Sequence, residues 1–388
     1  MRIIVAGGGV AGAATALAFR RIGAEVVVYE AYTDPAGDVG SFLSLAANGL
    51  RGLELLGCLG AVQEAGIDVP RQRMWSAGGM LLGDVARGRR PADALHSVTL
   101  MRGRLVETLR EAAADAGVEF HFGERVTGAS QDPGGVSVAF SSGRKDTADL
   151  VVAADGIWSV LREVVDAGAP RPEYAGLYTV SGVSQGVPVD PGVFNMTFGR
   201  GGAFLHLDGG GEVWWAAQIA DRFEPEREGV SDAEWLRRTA EVYRGEAEAS
   251  RVIAGTTRLH RPVVMHALDP VPTWHKGRVV LVGDAAHPVG AGQGASMAIE
   301  DAISLAEAVR AGNSVEAALE AYAVQRKPRI KNVLGTAENN RNTKQAGPLK
   351  RRMSTLMMRI FIPLVYEKAT GWLYDYRPTL ETTSPAVK

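Results

Sequence analysis

The sequence predicts an α/β fold on a Rossmann-type unit, with a β-rich segment inserted into it and helices at the C-terminal end. Three patterns carry that prediction. Short apolar runs at residues 3–6 and 25–29 flank an alanine-rich helical stretch, residues 11–21, which is the pattern of a βαβ unit with buried parallel strands. Two more such runs, 150–154 and 278–282, lie far along the chain, and the second leads into a helix over about 296–310. Between them, residues 177–219 alternate with a period of two: Phe194, Met196 and Phe198 fall on one face, Asn195 and Thr197 on the other.

The remaining elements follow in order. Gly23 ends the first helix. Leu105, Leu109, Ala112 and Ala116 mark one face of a helix over 103–116. Ser231 and Glu234 form a capping box for a helix reaching about Arg244, and Pro262, Pro270 and Pro272 punctuate the return to the α/β part. In the tail, Met353, Leu356, Met357, Ile360 and Leu364 recur at helical spacing around a kink at Pro363, a stripe that reads as core packing. The expected division is 1–73, 97–175 and 275–340 for the α/β domain, 74–96 and 176–274 for a β-sheet domain, and 341–388 for a helical segment.

Composition narrows the function. With 388 residues, 46% hydrophobic and 22% charged, the chain is an ordinary globular one with ample core. Lys plus Arg total 42 against 44 acidic residues, so no basic surface is expected for nucleic acid. The single cysteine, Cys58, excludes an internal disulfide and a multi-cysteine metal site. Neither a signal peptide nor an 18-residue apolar span is evident, which reads as cytoplasmic with no membrane span.

The glycines carry the chemistry. Gly7-Gly8-Gly9-Val10-Ala11-Gly12 satisfies G-x-G-x-x-G, follows a strand, opens a helix, and is followed 18 residues later by Glu30 at the end of the second strand. Gly7 permits a tight turn, Gly9 lets backbone approach a pyrophosphate, Gly12 lets helix pack on strand, and Glu30 accepts from a ribose. The first turn of the helix, with Val10 and Ala11, offers free N–H groups to phosphates. An acid at 30 with no arginine beside it favours FAD or NAD over NADP.

Three later motifs add to this. Leu100-Met101-Arg102-Gly103-Arg104-Leu105 precedes a helix, and Val152-Ala153-Ala154-Asp155-Gly156 follows a strand. Gly283-Asp284-Ala285-Ala286-His287-Pro288 follows another and runs through Gly290-Ala291-Gly292-Gln293-Gly294 into a helix. Over about residues 1–340 the chain resembles the single-component (class A) FAD-dependent aromatic monooxygenases of the p-hydroxybenzoate hydroxylase type, in a short form without a C-terminal thioredoxin-like domain. The resemblance implies a glutathione-reductase-like FAD-binding domain with an inserted mixed or antiparallel β-sheet substrate domain.

By that resemblance, Gly7, Gly9, Val10, Ala11, Gly12 and Glu30 would hold the ADP half of non-covalent FAD, with Val126 beside them. Arg102 would reach the ribityl-phosphate region, Asp155 would serve both FAD and NAD(P)H, and Gly283 and Asp284 would hold the ribityl chain. Gly292, Gln293, Gly294 and Ala295 would bring backbone N–H groups to the flavin N1–C2=O edge, where reduced flavin is anionic. His287 reads as structural. Three departures from the family pattern stand out: Ala153 for glycine, a loop after His287 that is shorter and lacks its second proline, and Ala47-Asn48 for Pro-Asn.

The implied activity is a monooxygenase of secondary metabolism. NADPH or NADH, a transient co-substrate, reduces FAD, and O2 is used through a flavin C4a-hydroperoxide to oxygenate an aromatic or polycyclic small molecule. No side chain acts as acid or base, and no metal is expected. Asn195 and Trp214 are the leading pocket candidates, with His206 and Trp215 behind them; the composition suits a large apolar aromatic and offers no obvious arginine clamp for a small carboxylate, though Arg200 could reach. A monomer or homodimer is expected. The alternatives are an FAD-dependent reductase or dehydrogenase of an apolar metabolite, and a non-catalytic flavin-binding sensor.

Overall fold

The computed structural model describes residues 1–33, 41–290, 292–344, 359, 362 and 365–381, with side chains only to 336 in the helix that ends at Lys344. The apolar stripe expected at Met353, Leu356, Met357, Ile360 and Leu364 lies outside the described residues, as does Pro363.

Runs of β-branched residues build the first sheet. Its order is His275–Lys276, Val279–Leu281, Leu150–Ala153, Arg2–Ala6, Glu25–Glu30, Glu119–Phe122, parallel except at the first pair. Ile3, Ile4 and Val5 have no exposed surface, and burying each contributes about 1.5–3 kcal/mol. The helix Val10–Arg21 lies between this sheet and the helix Gly294–Ala311, its alanines keeping the layers close. Leu105 and Leu109 of the helix Arg102–Asp115 are fully buried beside it. An antiparallel sheet of Val126–Asp132, Gly135–Phe140 and Lys145–Ala148 extends this half.

The alternating segment forms a seven-stranded sheet: Thr256–Ala267, Glu173–Ser184, Val213–Ala220, Gly202–Asp208, Val193–Phe198, Arg71–Ser76, Leu81–Ala86. All neighbours are antiparallel except Val193–Phe198 with Arg71–Ser76. One face packs Phe204 and Trp215 on Trp235 and Tyr243, from the segment with helices Asp232–Val242 and Ala247–Ala254. The opposite face packs Val183, Phe194, Leu207 and Trp214 toward Phe42, Ile67 and Met101. Those three come from a small sheet, Phe42–Leu45, Val98–Met101 and Ile67–Asp68, on the nucleotide-binding side.

Two local expectations need correction. Ser231 does cap its helix, its Oγ accepting from the Glu234 N–H at 3.3 Å, but Glu234 does not return the bond. Its carboxylate turns to Arg237 and Arg238 instead, a stronger charge-assisted pairing. Pro262, expected with Pro270 and Pro272 to punctuate the return to the α/β part, comes before that return. It sits inside Thr256–Ala267, an edge strand, at a register irregularity between His260 and Val263, where no ladder N–H is missed. The helix Val315–Lys344, with Pro328 within it, was not anticipated.

Candidate active site

The fingerprint turn is set by two close backbone approaches. Gly7 has φ +96°, and a Cβ there would lie 2.5 Å from the Ala154 carbonyl oxygen. A Cβ on Gly12 would fall 1.8 Å from the Gly7 oxygen, so the helix could not pack. Gly9 is different: nothing lies within 4 Å of where its Cβ would be. Gly9 caps the helix without a side chain, and the first helical bond is Ala13 N–H to Gly9 oxygen at 2.9 Å. The N–H groups of Val10, Ala11 and Gly12 thus precede the first helical bond and have no acceptor within the helix. Glu30, 7% exposed, accepts from the Gly8 N–H at 2.7 Å and from the Tyr32 N–H at 3.0 Å. Arg110 was not singled out from sequence; its Nε donates to the Gly8 oxygen at 2.7 Å, and its guanidinium lies 3.8 Å from Glu30. Val126 begins its strand just past Glu124, whose N–H donates to the Glu30 oxygen.

The other motifs converge on this turn. Ala154 and Asp155 pack against Gly7, and a Cβ on Gly283 would lie 2.9 Å from the Ala11 Cβ. Asp155 Oδ2 accepts from the Val160 and Leu161 N–H groups at 3.0 and 3.4 Å. Gly283 and Asp284 form a short 3-10 turn. Asp284 Oδ1 lies 4.0 Å from the Cβ position of Gly294, at the start of the helix Gly294–Ala311. Solvent reaches its side chain, yet the surrounding protein pushes its carboxyl above the usual range, while His287 and Arg102 pull it back. Gln293 is the N-cap and makes no side-chain cap; its Oε1 lies 3.5 Å from Asn48 Nδ2. Gly292, Gln293, Gly294 and Ala295 therefore open an uncapped helix N-terminus toward Asp284.

Beneath the turn lies a buried ionic cluster. His287 Nε2 is 2.5 Å from Asp301 Oδ2, which also accepts from the Gly283 N–H at 2.9 Å. Arg326 reaches Asp301 at 2.7 Å and Glu300 at 2.6 Å, and Arg329 reaches Glu300 at 2.7 Å. Burial pushes the Asp301 carboxyl up, but His287, Arg326 and the Gly283 N–H outweigh it and hold it at about 2. His287, 3% exposed, is a strut for the Gly283–Asp284 turn.

The pocket candidates divide by face. Asn195, His206 and Trp215 stand in register across three strands and share the helix-covered face. Trp215 has no exposed surface and stacks on Phe204 at 5.8 Å; His206 Nε2 lies 3.4 Å from Glu248; Asn195 accepts from Trp75 Nε1 at 3.0 Å. Strand alternation turns these three expected pocket residues away from the face that meets Phe42, Ile67 and Met101. Trp214 lies on the other face, stacked toward Phe42 at 6.3 Å. Phe194 and Met196 share that face with it, within the same apolar cluster. Arg200 is exposed at a turn on the far side, its N–H bonded to Glu246 at 2.7 Å. Arg87 lies on the Phe194 side of the sheet, its guanidinium carbon 3.4 Å from the Phe194 ring centre.

Among the described residues, no cluster of His, Cys, Asp and Glu could hold a metal, and no helix is long and apolar enough to cross a membrane. The fold and this convergence of turns define a dinucleotide-binding flavoprotein. A family profile described as "FAD binding domain" matches residues 1–337. Aurachin C monooxygenase/isomerase of Stigmatella aurantiaca is 30% identical, over 83% of this chain and 84% of that one. Salicylate hydroxylase of Pseudomonas putida is 30% identical, over 87% and 84%. The crystal structure of Klebsiella pneumoniae HpxO, complexed with FAD and uric acid, has the same fold, with TM-score 0.83 at 23% identity over 96% and 97% of the two chains. The chain belongs to the FAD-dependent aromatic monooxygenases of the p-hydroxybenzoate hydroxylase type, and its cofactor is FAD.

Proposed function

We propose that this protein is an NAD(P)H- and O2-consuming monooxygenase that oxygenates an aromatic small molecule on the Trp214 face of the seven-stranded sheet. The observation that carries the placement is the junction at Met101 and Arg102. Met101 packs against the Phe194–Trp214 face, and its neighbour Arg102 acts electrostatically on Asp284. On this reading the apolar face and the Asp284–Gly294 turn would border one space.

FAD, when bound, supplies the redox chemistry, passing electrons from NADPH or NADH to O2 so that one oxygen enters the aromatic ring and the other leaves as water. The chain's own residues bind, orient and exclude water. The open N–H groups behind Gly9 would hold the pyrophosphate and Glu30 a ribose. Arg102 and Asp284 would hold the ribityl-phosphate region, with Asp155 nearby. The N-terminus at Gly294 would meet the flavin pyrimidine edge, where its dipole favours negative charge. Val183, Phe194, Leu207 and Trp214 would keep water from the reacting ring. No side chain is assigned acid–base work.

The same proposal divides the chain into an FAD-binding domain around the six-stranded sheet and a substrate domain around the seven-stranded one. A cytoplasmic setting, where NAD(P)H is held, and a monomer or homodimer belong to it too. The test is oxygen uptake and NAD(P)H oxidation by the FAD-loaded chain with and without aromatic acids, phenols and indoles. Stimulation by one class with oxygenated product supports the reading, and aromatic turnover without O2 would replace it with a reductase.

A further inference from the structure

Asn48 lies in the first turn of the helix Ala47–Leu55 and has no exposed surface. That helix meets the first turns of Gly294–Ala311 at close range. A Cβ on Gly49 would lie 2.5 Å from Ser296 Oγ, and one on Gly52 would lie 2.5 Å from Ile299 Cγ2. Asn48 is thereby brought to two side chains of the second helix and its cap. Its Nδ2 donates to Glu300 Oε1 at 2.7 Å and lies 3.5 Å from Gln293 Oε1. Its Oδ1 is out of solvent and has no hydrogen-bond partner.

The two ends of a side-chain amide are nearly the same size, so hydrogen bonds decide which end faces which way. Glu300 leaves Asn48 no choice. Arg326 donates to Glu300 Oε2 at 2.6 Å, and Arg329 donates to both oxygens at 2.7 Å. A carboxylate bound by two guanidinium groups can only accept, so Asn48 presents its NH2 end. The second hydrogen on that nitrogen serves Gln293 Oε1. The unpaired Asn48 Oδ1 is the cost of this orientation, since a buried acceptor without a donor is unfavourable. Gln293 is half-buried and stands just before the helix Gly294–Ala311. With its oxygen turned to Asn48, its own NH2 end points the opposite way.

We propose that Asn48 is a positioning residue for the flavin. It relays the polarity of Glu300 through the Gln293 amide, so that Gln293 presents N–H donors, and not its carbonyl, to the flavin pyrimidine edge. Donors there add to the dipole of the helix N-terminus and favour the anionic reduced flavin over the neutral oxidised one. This deepens the reading above and rests on its placement of the pyrimidine edge at Gly294.

The test reads the midpoint potential of FAD bound to the full chain, by anaerobic equilibration with a reference dye. The variants are Asn48→Leu, Gln293→Leu and the two combined. Each single change should lower the affinity for reduced relative to oxidised FAD about tenfold, a potential about 30 mV lower for a two-electron couple. The combined variant should fall no further than Gln293→Leu alone, because Asn48 acts through that amide. FAD content and apo melting temperature report the fold; a merely structural Asn48 would move those and leave the potential unchanged. Should Asn48→Leu not fold, Asn48→Ser takes its place, since its one hydroxyl hydrogen can serve Glu300 but not Gln293 as well. With neither folded, Gln293→Leu against the native chain decides. A native potential in the Asn48 variant, or additive falls in the combined one, overturns the proposal while the flavin placement stands. A native potential together with native FAD affinity in Gln293→Leu overturns both, because the pyrimidine edge then lies elsewhere.

Discussion

Trp214 and Trp215 are adjacent in sequence and serve opposite sides of one sheet. Trp214 stacks toward Phe42 on the nucleotide side, while Trp215 stacks on Phe204 under the outer helices. Trp215→Ala should therefore cost about 3–5 kcal/mol in urea unfolding, as removal of a large core side chain does. Trp214→Phe should change stability by less than about 1.5 kcal/mol. It should instead raise the share of NAD(P)H oxidation that ends as hydrogen peroxide. The reverse pattern would mean that the faces have been assigned the wrong way round.

Gly9 and Gly12 separate cofactor binding from folding. A Cβ at Gly9 meets no protein atom within 4 Å, whereas one at Gly12 would lie 1.8 Å from the Gly7 oxygen. Gly9→Ala is expected to fold with a near-normal apo melting temperature and to bind FAD at least about tenfold more weakly, a loss of about 1.4 kcal/mol. Gly12→Ala should fail to fold or melt well below the native chain. Normal FAD affinity in Gly9→Ala would place the pyrophosphate elsewhere.

Asp301 makes acid stability a test of the buried cluster. Its carboxyl is held at about 2, below its ordinary value near 3.9. A depressed carboxyl stabilises the fold above its unfolded pKa, and that contribution is lost as pH falls from about 4 toward 2. Asp301→Asn should lose about 3 kcal/mol at neutral pH, because Arg326 and His287 lose their charged partner. It should also flatten the acid limb of the urea midpoint against pH. An unchanged acid limb in that variant would show that other carboxylates set it.

Cys58 is buried, and desolvation pushes its thiol up to about 12 despite Arg21 nearby. Thiol reagents should modify it only as fast as the chain opens, with labelling accelerated by urea. Rapid labelling of the folded, FAD-loaded chain would contradict this environment.

Local determinants made the nucleotide half legible. The strand at 3–6, the glycines and the alanine-rich helix each dictate their geometry within a few residues, and Gly7 and Gly12 stand where a Cβ cannot. The alternation at 193–198 gave two faces and no means of telling which one looks at the flavin. Polar character suggested Asn195 and His206, but Trp75 and Glu248, distant in sequence, meet them on the helix side. Arg87 was equally hidden: Ser44, Gln72 and Phe194 come from three different strands, so their meeting around it shows only in the folded chain. The cluster around Asp301 joins helices through Arg326 and Arg329, and carries no short-range pattern.

The most direct test of the central claim is isotopic. The FAD-loaded chain would be incubated under 18O2 with NADPH or NADH and whichever aromatic compound accelerates oxidation, and the product weighed by mass spectrometry. One 18O atom per product molecule is the predicted result. A product formed equally well without O2, or carrying oxygen only from water, would contradict monooxygenation.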